Sequence, residues 1–210
     1  MERNWFTVVF LGDSLTTGFQ QGPGYLPQRY YPFTNLLEAG LRIFLRERKA
    51  GFDVVIVNQG RDGDSTGGML ERLPRAVADE NPQLVFLWGG LNDLSGGLPP
   101  EAVAANVGRL VDLVREMGSR PVVVGLPPVA WEALDAAVRE ANERLREVAA
   151  SKDAPYLDVY QALQKTGGGV DPRYSNDGVH LSDSGYRVLQ QLFHGFLVGV
   201  LEERLDSDHL

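Results

Sequence analysis

The chain has 210 residues, of which 43% are hydrophobic and 23% are charged. These proportions are typical of a globular protein and exclude a fibrous or disordered class, and the length favours one domain over residues 1–210. A net charge of −8 disfavours nucleic acid as a partner, because binding a polyanion requires clustered lysine and arginine. The sequence contains no cysteine, which excludes disulfides, a cysteine nucleophile and a cysteine zinc site.

Neither an export signal nor a membrane span is predicted. The first five residues contain no basic leader, and the apolar run that follows has only a strand's length before Gly12, with no small-residue cleavage site after it. No stretch approaches the roughly 18 consecutive apolar residues of a membrane helix. We therefore expect a cytoplasmic protein, a monomer or small homo-oligomer, whose partner is a small molecule.

In chain order, five short apolar runs alternate with segments of helical periodicity. We predict strands at 7–11, 53–58, 84–88, 121–125 and 154–157. We predict helices at 33–48, 68–79, 100–117 and 131–150, and a last helix from Ser182 to about Glu202, before a polar tail. Uninterrupted apolar strands are typical of a sheet buried on both faces, and the strand–helix alternation predicts parallel pairing with right-handed crossovers. The fold class is therefore α/β.

A serine lies where the first predicted strand ends, in the segment Gly12-Asp13-Ser14-Leu15. A serine hydroxyl is a weak nucleophile unless a base accepts its proton and hydrogen-bond donors stabilise the oxyanion that forms. His180 is a suitable base, because an imidazole titrates near neutral pH. Asp177 precedes it by three residues, a spacing that lets the carboxylate bind Nδ1 and leave Nε2 for the serine. We predict Ser14, Asp177 and His180 as the catalytic residues.

Candidate oxyanion donors follow the second and third predicted strands. Gly60 follows one strand and Asn92 the other, and the carboxyl ends of parallel strands meet at one edge of a sheet. Gly60 offers a backbone N–H without an obstructing side chain, and Asn92 offers its side-chain amide. With the N–H of Ser14, these groups form the predicted oxyanion hole.

Four segments of the chain resemble the conserved blocks of the GDSL, or SGNH, hydrolases: residues 12–15, Gly60, residues 90–93 and residues 177–180. They occur in the family's order, at strand ends or just before the last helix. The resemblance implies a flavodoxin-like three-layer α/β/α sandwich with a five-stranded parallel sheet in the order 2-1-3-4-5. It also implies hydrolysis of esters or thioesters through an acyl-serine. For this serine chemistry we expect no cofactor and no metal. One departure is that Leu181 follows His180 where many relatives have proline.

A second serine motif competes with Ser14. The segment 63–67 reads Gly-Asp-Ser-Thr-Gly and matches the G-x-S-x-G pattern of other α/β-hydrolases. That pattern requires the serine directly between strand and helix, whereas Ser65 stands several residues after the second predicted strand. We interpret Ser65 as a helix cap.

Two hypotheses from other classes also remain. The turn of Ser14, Thr16, Thr17 and Gly18 could cradle the phosphate of a flavodoxin-like phosphate- or FMN-binding module without hydrolase activity. That hypothesis leaves Asp177 and His180 unexplained. Loop acids could instead hold magnesium, but we interpret them as solvated or as acceptors for loop N–H groups. These acids are Asp13, Asp62, Asp64 and Asp93.

The sequence does not define the substrate. Tyr30, Tyr31 and Trp131 lie in irregular segments after strands and are candidates for substrate binding, although they could equally pack against their own loops. A short-chain acyl ester, a lysophospholipid, a thioester and an O-acetyl carbohydrate all remain open.

Overall fold

The five predicted strands form one parallel sheet in the order β4-β1-β5-β6-β7. The computed structural model describes residues 4–22 and 27–207. The sheet strands are β1 (Asn4–Gly12), β4 (Phe52–Gly60), β5 (Leu84–Trp88), β6 (Arg120–Val124) and β7 (Tyr156–Leu157). Two short strands, β2 (Phe19–Gln20) and β3 (Arg29–Tyr30), form a separate antiparallel hairpin. Counted among the five strands of the sheet alone, the order is 2-1-3-4-5, so the predicted topology is confirmed.

Helices cover both faces of the sheet. They are α1 (Ser14–Thr17), α2 (Phe33–Glu47), α3 (Thr66–Ala78), α4 (Leu91–Ser95), α5 (Pro100–Glu116), α6 (Glu132–Ser151), α7 (Val159–Leu163) and α8 (Asp183–Ser207). Helices α2 and α8 pack together on one face, and α3, α5 and α6 cover the other. All four long predicted helices are present, together with the last one. Among the described helices, none combines the length and apolarity that crossing a membrane requires.

The core is centred on aromatic rings between the sheet and α2 and α8. Phe10 of β1 stacks on Phe86 of β5 with ring centroids 4.4 Å apart, and the ring of Phe193 from α8 packs edge-on against both. The side chains of Phe33 and Trp88 complete the cluster, and all five residues are fully buried. This packing fixes β1 and β5, the strands whose carboxyl ends carry Ser14 and Asn92.

The last helix is longer than predicted. It continues past Glu202 to Ser207, where the sequence pattern predicts a frayed polar tail. Leu205 is buried, and the guanidinium of Arg204 lies 4.6 Å from the ring centroid of Phe52. These contacts with the strand layer stabilise the extra turn, and local polarity gave no sign of them.

Candidate active site

The nucleophile turn joins β1 to the single-turn helix α1. Gly12 ends the strand at a point where any side chain would collide with the Trp88 carbonyl oxygen of β5. Asp13 caps α1, because its Oδ1 accepts the Leu15 N–H at 2.9 Å. Ser14 is then the first helical residue, and no hydrogen bond to its hydroxyl occurs within the residues described. The turn thus presents Oγ at the carboxyl edge of the sheet.

The Asp177–His180 pair is held by a tight loop that precedes α8. Oδ2 of Asp177 lies 2.7 Å from Nδ1 of His180, and Oδ1 accepts the N–H groups of Val179 and His180 at 2.9 and 2.8 Å. Burial acts to raise the pKa of Asp177, but the hydrogen bonds from His180 and Val179 outweigh it and lower this pKa to about 2. Asp177 is therefore a carboxylate at neutral pH and favours the tautomer with the proton on Nδ1. The Nε2 atom is left to accept a proton.

The three predicted catalytic residues line one cavity of about 380 Å³. Its lining residues are Asp13, Ser14, Leu15, Leu91, Asn92, Ser95, Trp131, Leu134, Asp177, Val179 and His180. Apart from the residues of the predicted chemistry, the walls are mostly leucine, valine and tryptophan. A serine hydroxyl, an imidazole and an amide therefore share a small, largely apolar cavity, although they come from distant parts of the sequence.

Asn92, the one predicted side-chain donor, lies in α4 directly after β5. One of its amide hydrogens is donated to the Asp64 carbonyl oxygen, with the nitrogen 2.9 Å from that oxygen. The amide carries a second hydrogen, and the residue lines the cavity beside Ser14. Asn92 is thus oriented by the loop between β4 and α3.

Removal of the Asn92 amide is expected to impair turnover. In Asn92→Ala, we expect kcat for an aryl acetate to fall by about 10²–10³-fold with little change in KM, because an oxyanion donor acts mainly in the transition state. Asn106→Ala is the matched control, since its amide binds the Thr66 hydroxyl and does not line the cavity. Steady-state kinetics on both variants measure the effect. Equal losses in the two variants would contradict an oxyanion role.

Gly60 has a packing role at the same strand edge. It does not line the cavity, and its N–H donates to Oδ1 of Asn58 at 2.9 Å. A side chain at Gly60 would press on the backbone of Thr17 in α1, so the close approach of α1 to β4 requires glycine here. The sequence pattern identifies the glycine, but the bond to Asn58 shows that its N–H already has a partner.

Arg72 of α3 is a residue that the sequence analysis missed. Its guanidinium donates to the carbonyl oxygens of Gly12 and Gln59, each at 2.9 Å, and to Oδ2 of Asp64 at 2.7 Å. One side chain therefore ties the ends of β1 and β4 to the loop that holds Asn92. The sequence around Arg72 did not indicate this role, because all three acceptors belong to other segments of the chain.

The loop acids are engaged by protein donors. Asp93 accepts the N–H and hydroxyl of Thr66, Asp64 pairs with Arg72, and Asp62 accepts the hydroxyls of Thr17 and Tyr30. Within residues 4–22 and 27–207, no group of three or more acids or histidines is placed to hold a metal ion. The carboxylate of Asp62 beside Thr17 would also repel a phosphate at this turn.

Asp13 is a buried acid, and one of its carboxyl oxygens has no hydrogen-bond partner among the described residues. Its side chain is 1% exposed, and no partner for Oδ2 lies among the described residues. Burial raises the pKa of Asp13 from the ordinary 3.8 to about 7, while the hydrogen bond from Leu15 acts in the opposite direction. The folded protein thus binds this proton more tightly than the unfolded chain. The free energy of unfolding should fall as the pH rises from about 4 to about 7.

Asp13→Asn is expected to remove this pH dependence. The amide oxygen can still accept the Leu15 N–H, but the side chain no longer ionises. Relative to the unsubstituted protein, the variant should gain up to about 4 kcal/mol in the free energy of unfolding between pH 4 and pH 8. Urea unfolding at several pH values measures this gain, with Asp112→Asn, an exposed acid of α5, as the control. If the free energy of unfolding depended on pH in the same way in Asp13→Asn and in the unsubstituted protein, a raised pKa for Asp13 would be contradicted.

The three aromatic candidates for substrate binding lie in different environments. Trp131, which is 57% exposed, lines the cavity. Tyr30 and Tyr31 do not line it: the hydroxyl of Tyr30 binds Asp62 at 2.6 Å, and the ring of Tyr31 stacks on Tyr186 with centroids 5.5 Å apart. Ser65 also lies outside the lining, and its Oγ accepts the Gly68 N–H as the cap of α3.

A serine at a strand end, with an imidazole held by a carboxylate in the same cavity, is the arrangement that serine hydrolases use. On an open parallel sheet, such a site is expected at the carboxyl ends of the strands. The chain belongs to the GDSL-like lipase/acylhydrolase family, whose sequence model matches residues 10–188. The predicted family resemblance is thereby confirmed.

Individual relatives are similar over part or most of the chain. An arylesterase from Vibrio mimicus is 31% identical over 128 residues, which cover 58% of this chain and 56% of the relative. Esterase TesA from Pseudomonas aeruginosa is 30% identical over 132 residues, which cover 62% of this chain and 63% of the relative. The matched region thus spans less than two thirds of either relative. The crystal structure of a lipase/acylhydrolase from Enterococcus faecalis superposes with a TM-score of 0.74 at 25% identity, covering 92% of this chain and 96% of that one.

Proposed function

We propose that this chain is a serine esterase that hydrolyses carboxylic esters through an acyl-serine intermediate. The observation that carries the proposal is one cavity lined by Ser14 and by a His180–Asp177 pair whose Nδ1 and Oδ2 are 2.7 Å apart. The family match and the esterase relatives support ester hydrolysis as the class of reaction.

The first half-reaction forms the acyl-enzyme. Oγ of Ser14 attacks the ester carbonyl carbon while Nε2 of His180 takes the serine proton. The negative charge moves to the former carbonyl oxygen, which accepts hydrogen bonds from the Ser14 N–H and the Asn92 amide. When the carbonyl re-forms, the bond to the alcohol oxygen breaks and His180 returns the proton to the alcohol. Asp177, with its pKa lowered to about 2, stays ionised and balances the charge on the imidazolium.

The second half-reaction releases the acid. His180 removes a proton from water, and the resulting hydroxide oxygen bonds to the acyl carbon. The bond between that carbon and Oγ then breaks, Ser14 recovers its proton from His180, and a carboxylic acid leaves. No redox step or external donor is needed, because water supplies every atom that is added.

The third oxyanion donor predicted from sequence, the Gly60 N–H, would have to leave Asn58 to take part. We propose the Ser14 N–H and the Asn92 amide as the two principal donors, and the Gly60 N–H as the third donor once it has left Asn58.

The cavity supports a compact, uncharged substrate. Its walls include the apolar side chains of Leu91, Leu134 and Val179 and the exposed indole of Trp131, and no lysine or arginine is among the described lining residues. A phosphate-bearing substrate would find no cation there to bind it. Among the four substrate types left open by the sequence, we therefore propose the short-chain acyl ester. The arylesterase relative suggests an aryl group as the alcohol part of that ester.

A chain-length series tests this proposal. We expect hydrolysis of p-nitrophenyl acetate and butyrate, and a much lower kcat/KM for p-nitrophenyl palmitate. A lysophospholipid, an acyl thioester and an acetylated oligosaccharide should be poorer substrates than the two short-chain esters. Activity should disappear in His180→Ala. If folded protein hydrolysed none of these compounds, the esterase assignment would be contradicted. A preference for palmitate or for the lysophospholipid would contradict only the choice of substrate.

A further inference from the structure

The β2–β3 hairpin contacts the imidazole of the active site. Phe19 in β2 pairs with Tyr30 in β3. The ring centroid of Phe19 lies 4.6 Å from that of His180, with an angle of 63° between the planes. Such a distance is direct contact, so Phe19 blocks one side of the space through which the imidazole would rotate.

The same hairpin contacts the nucleophile side of the site. The hydroxyl of Tyr30 donates to Oδ2 of Asp62 at 2.6 Å, and the hydroxyl of Thr17 donates to Oδ1 of Asp62 at 2.6 Å. Thr17 ends α1, the helix that Ser14 begins. The rings of Phe19 and Tyr30 are themselves in contact, with centroids 5.8 Å apart. A continuous set of contacts therefore runs from the nucleophile helix through the hairpin to His180.

Three polar contacts attach the hairpin region to the loop that carries His180 and to the start of α8. The buried amide of Gln20 donates to the Leu181 carbonyl oxygen at 3.1 Å. Asn176 donates to the Gln21 carbonyl oxygen at 3.2 Å. The guanidinium of Arg29 lies 2.8 Å from Oδ1 of Asp183 in an exposed ion pair. Strand β2, the residue after it and strand β3 each contact the loop that carries His180 or the start of α8, so both described strands of the hairpin are anchored there.

We propose that the β2–β3 hairpin is a positioning element of the active site and that Phe19 keeps the His180 imidazole turned with Nε2 toward Ser14. This inference rests on the proposed esterase function. The hydrogen bond from Nδ1 to Asp177 fixes one point of the ring, and a single bond still permits tilting about it. Contact with Phe19 restricts that tilting. Rate depends steeply on such alignment, since a misplacement of about 1 Å can cost about 10²-fold.

The test compares Phe19→Ala with Phe19→Tyr, which keeps the ring. We expect Phe19→Ala to lower kcat by about 10- to 100-fold with KM nearly unchanged, and to slow labelling of Ser14 by a fluorophosphonate by a similar factor. Phe19→Tyr should restore most of both rates. Phe44→Ala is the control, because Phe44 is a half-buried aromatic of α2 outside the cavity. It should leave kcat within about twofold.

NMR of protein with ¹⁵N-labelled histidine provides a readout that does not depend on activity. We expect one well-defined tautomer signal for His180 in the unsubstituted protein and in Phe19→Tyr, and an exchange-averaged signal in Phe19→Ala. The proposal would be overturned if folded Phe19→Ala had the same kcat and the same His180 signal as the unsubstituted protein. It would also be overturned if the fall in kcat were no larger than the fraction of unfolded Phe19→Ala protein explains. If Ser14→Ala retained activity, the esterase mechanism would fail, while the histidine signal would still report on the hairpin.

Discussion

Replacement of Ser14 by alanine is expected to reduce kcat for p-nitrophenyl acetate by about 10⁴–10⁶-fold, because Oγ of Ser14 is the atom on which the proposed acyl intermediate forms. The substitution removes only a hydroxyl with no hydrogen-bond partner in the described structure, so the fold should be retained. Steady-state kinetics and the thermal unfolding midpoint together separate loss of chemistry from loss of fold.

Ser65→Ala is the matched control for this prediction. Ser65 stands in the competing G-x-S-x-G segment, but its hydroxyl oxygen caps α3 by accepting the Gly68 N–H at 3.1 Å. Loss of that cap should cost about 1 kcal/mol of stability and leave the chemistry intact. Activity that survives Ser14→Ala and disappears in Ser65→Ala would exchange the roles of the two serines.

Asp177→Asn is expected to lower kcat by about 10⁴-fold although the side chain keeps nearly the same shape. The amide oxygen can still accept the N–H groups of Val179 and His180. The amide nitrogen then faces Nδ1 and donates to it, which places the imidazole proton on Nε2, where it prevents His180 from accepting the serine proton. The defect should therefore be in kcat, with a smaller effect on KM.

Asp177→Asn is also expected to change how the free energy of unfolding depends on pH. Because hydrogen bonds hold the pKa of Asp177 at about 2, below that of an unfolded aspartate, the carboxylate stabilises the fold above about pH 4 and loses this effect as the pH falls toward 2. Asp177→Asn should thus be less stable than the unsubstituted protein at pH 7, and the difference should shrink in acid. Asp158→Asn, which alters a cap of α7 outside the cavity, is the control. Equal activity loss in both variants would contradict a specific role for Asp177.

The centre of the sheet was predictable because β1, β5 and β6 are buried on both faces over most of their length, whereas the edge strand β4 is largely half-buried. Residues such as Val9 and Leu87 are almost fully inaccessible, and runs of them in sequence directly signal the central strands. The short elements were not predictable. Helices α1, α4 and α7 have four or five residues each, and the hairpin strands have two, which is too few for a periodic pattern.

The candidate catalytic residues were easier to find from the sequence than the residues that position them. Ser14, Asn92 and the Asp177–His180 pair stand in short motifs at strand ends or before a helix, and the structure brings them to one cavity. Arg72 and Phe19 act through contacts with segments far away in sequence, and no local pattern marks such contacts. The occupied N–H of Gly60 depends on one side-chain hydrogen bond, a detail that only the folded geometry shows.

Covalent labelling asks whether Ser14 is the nucleophile. The protein is treated with a fluorophosphonate, digested, and mapped by mass spectrometry. We expect one stoichiometric adduct on Ser14, formed much more slowly in His180→Ala because the base that activates the hydroxyl is gone. An adduct on any other residue, or no adduct on folded protein that hydrolyses esters, would contradict the assignment of Ser14 as the nucleophile.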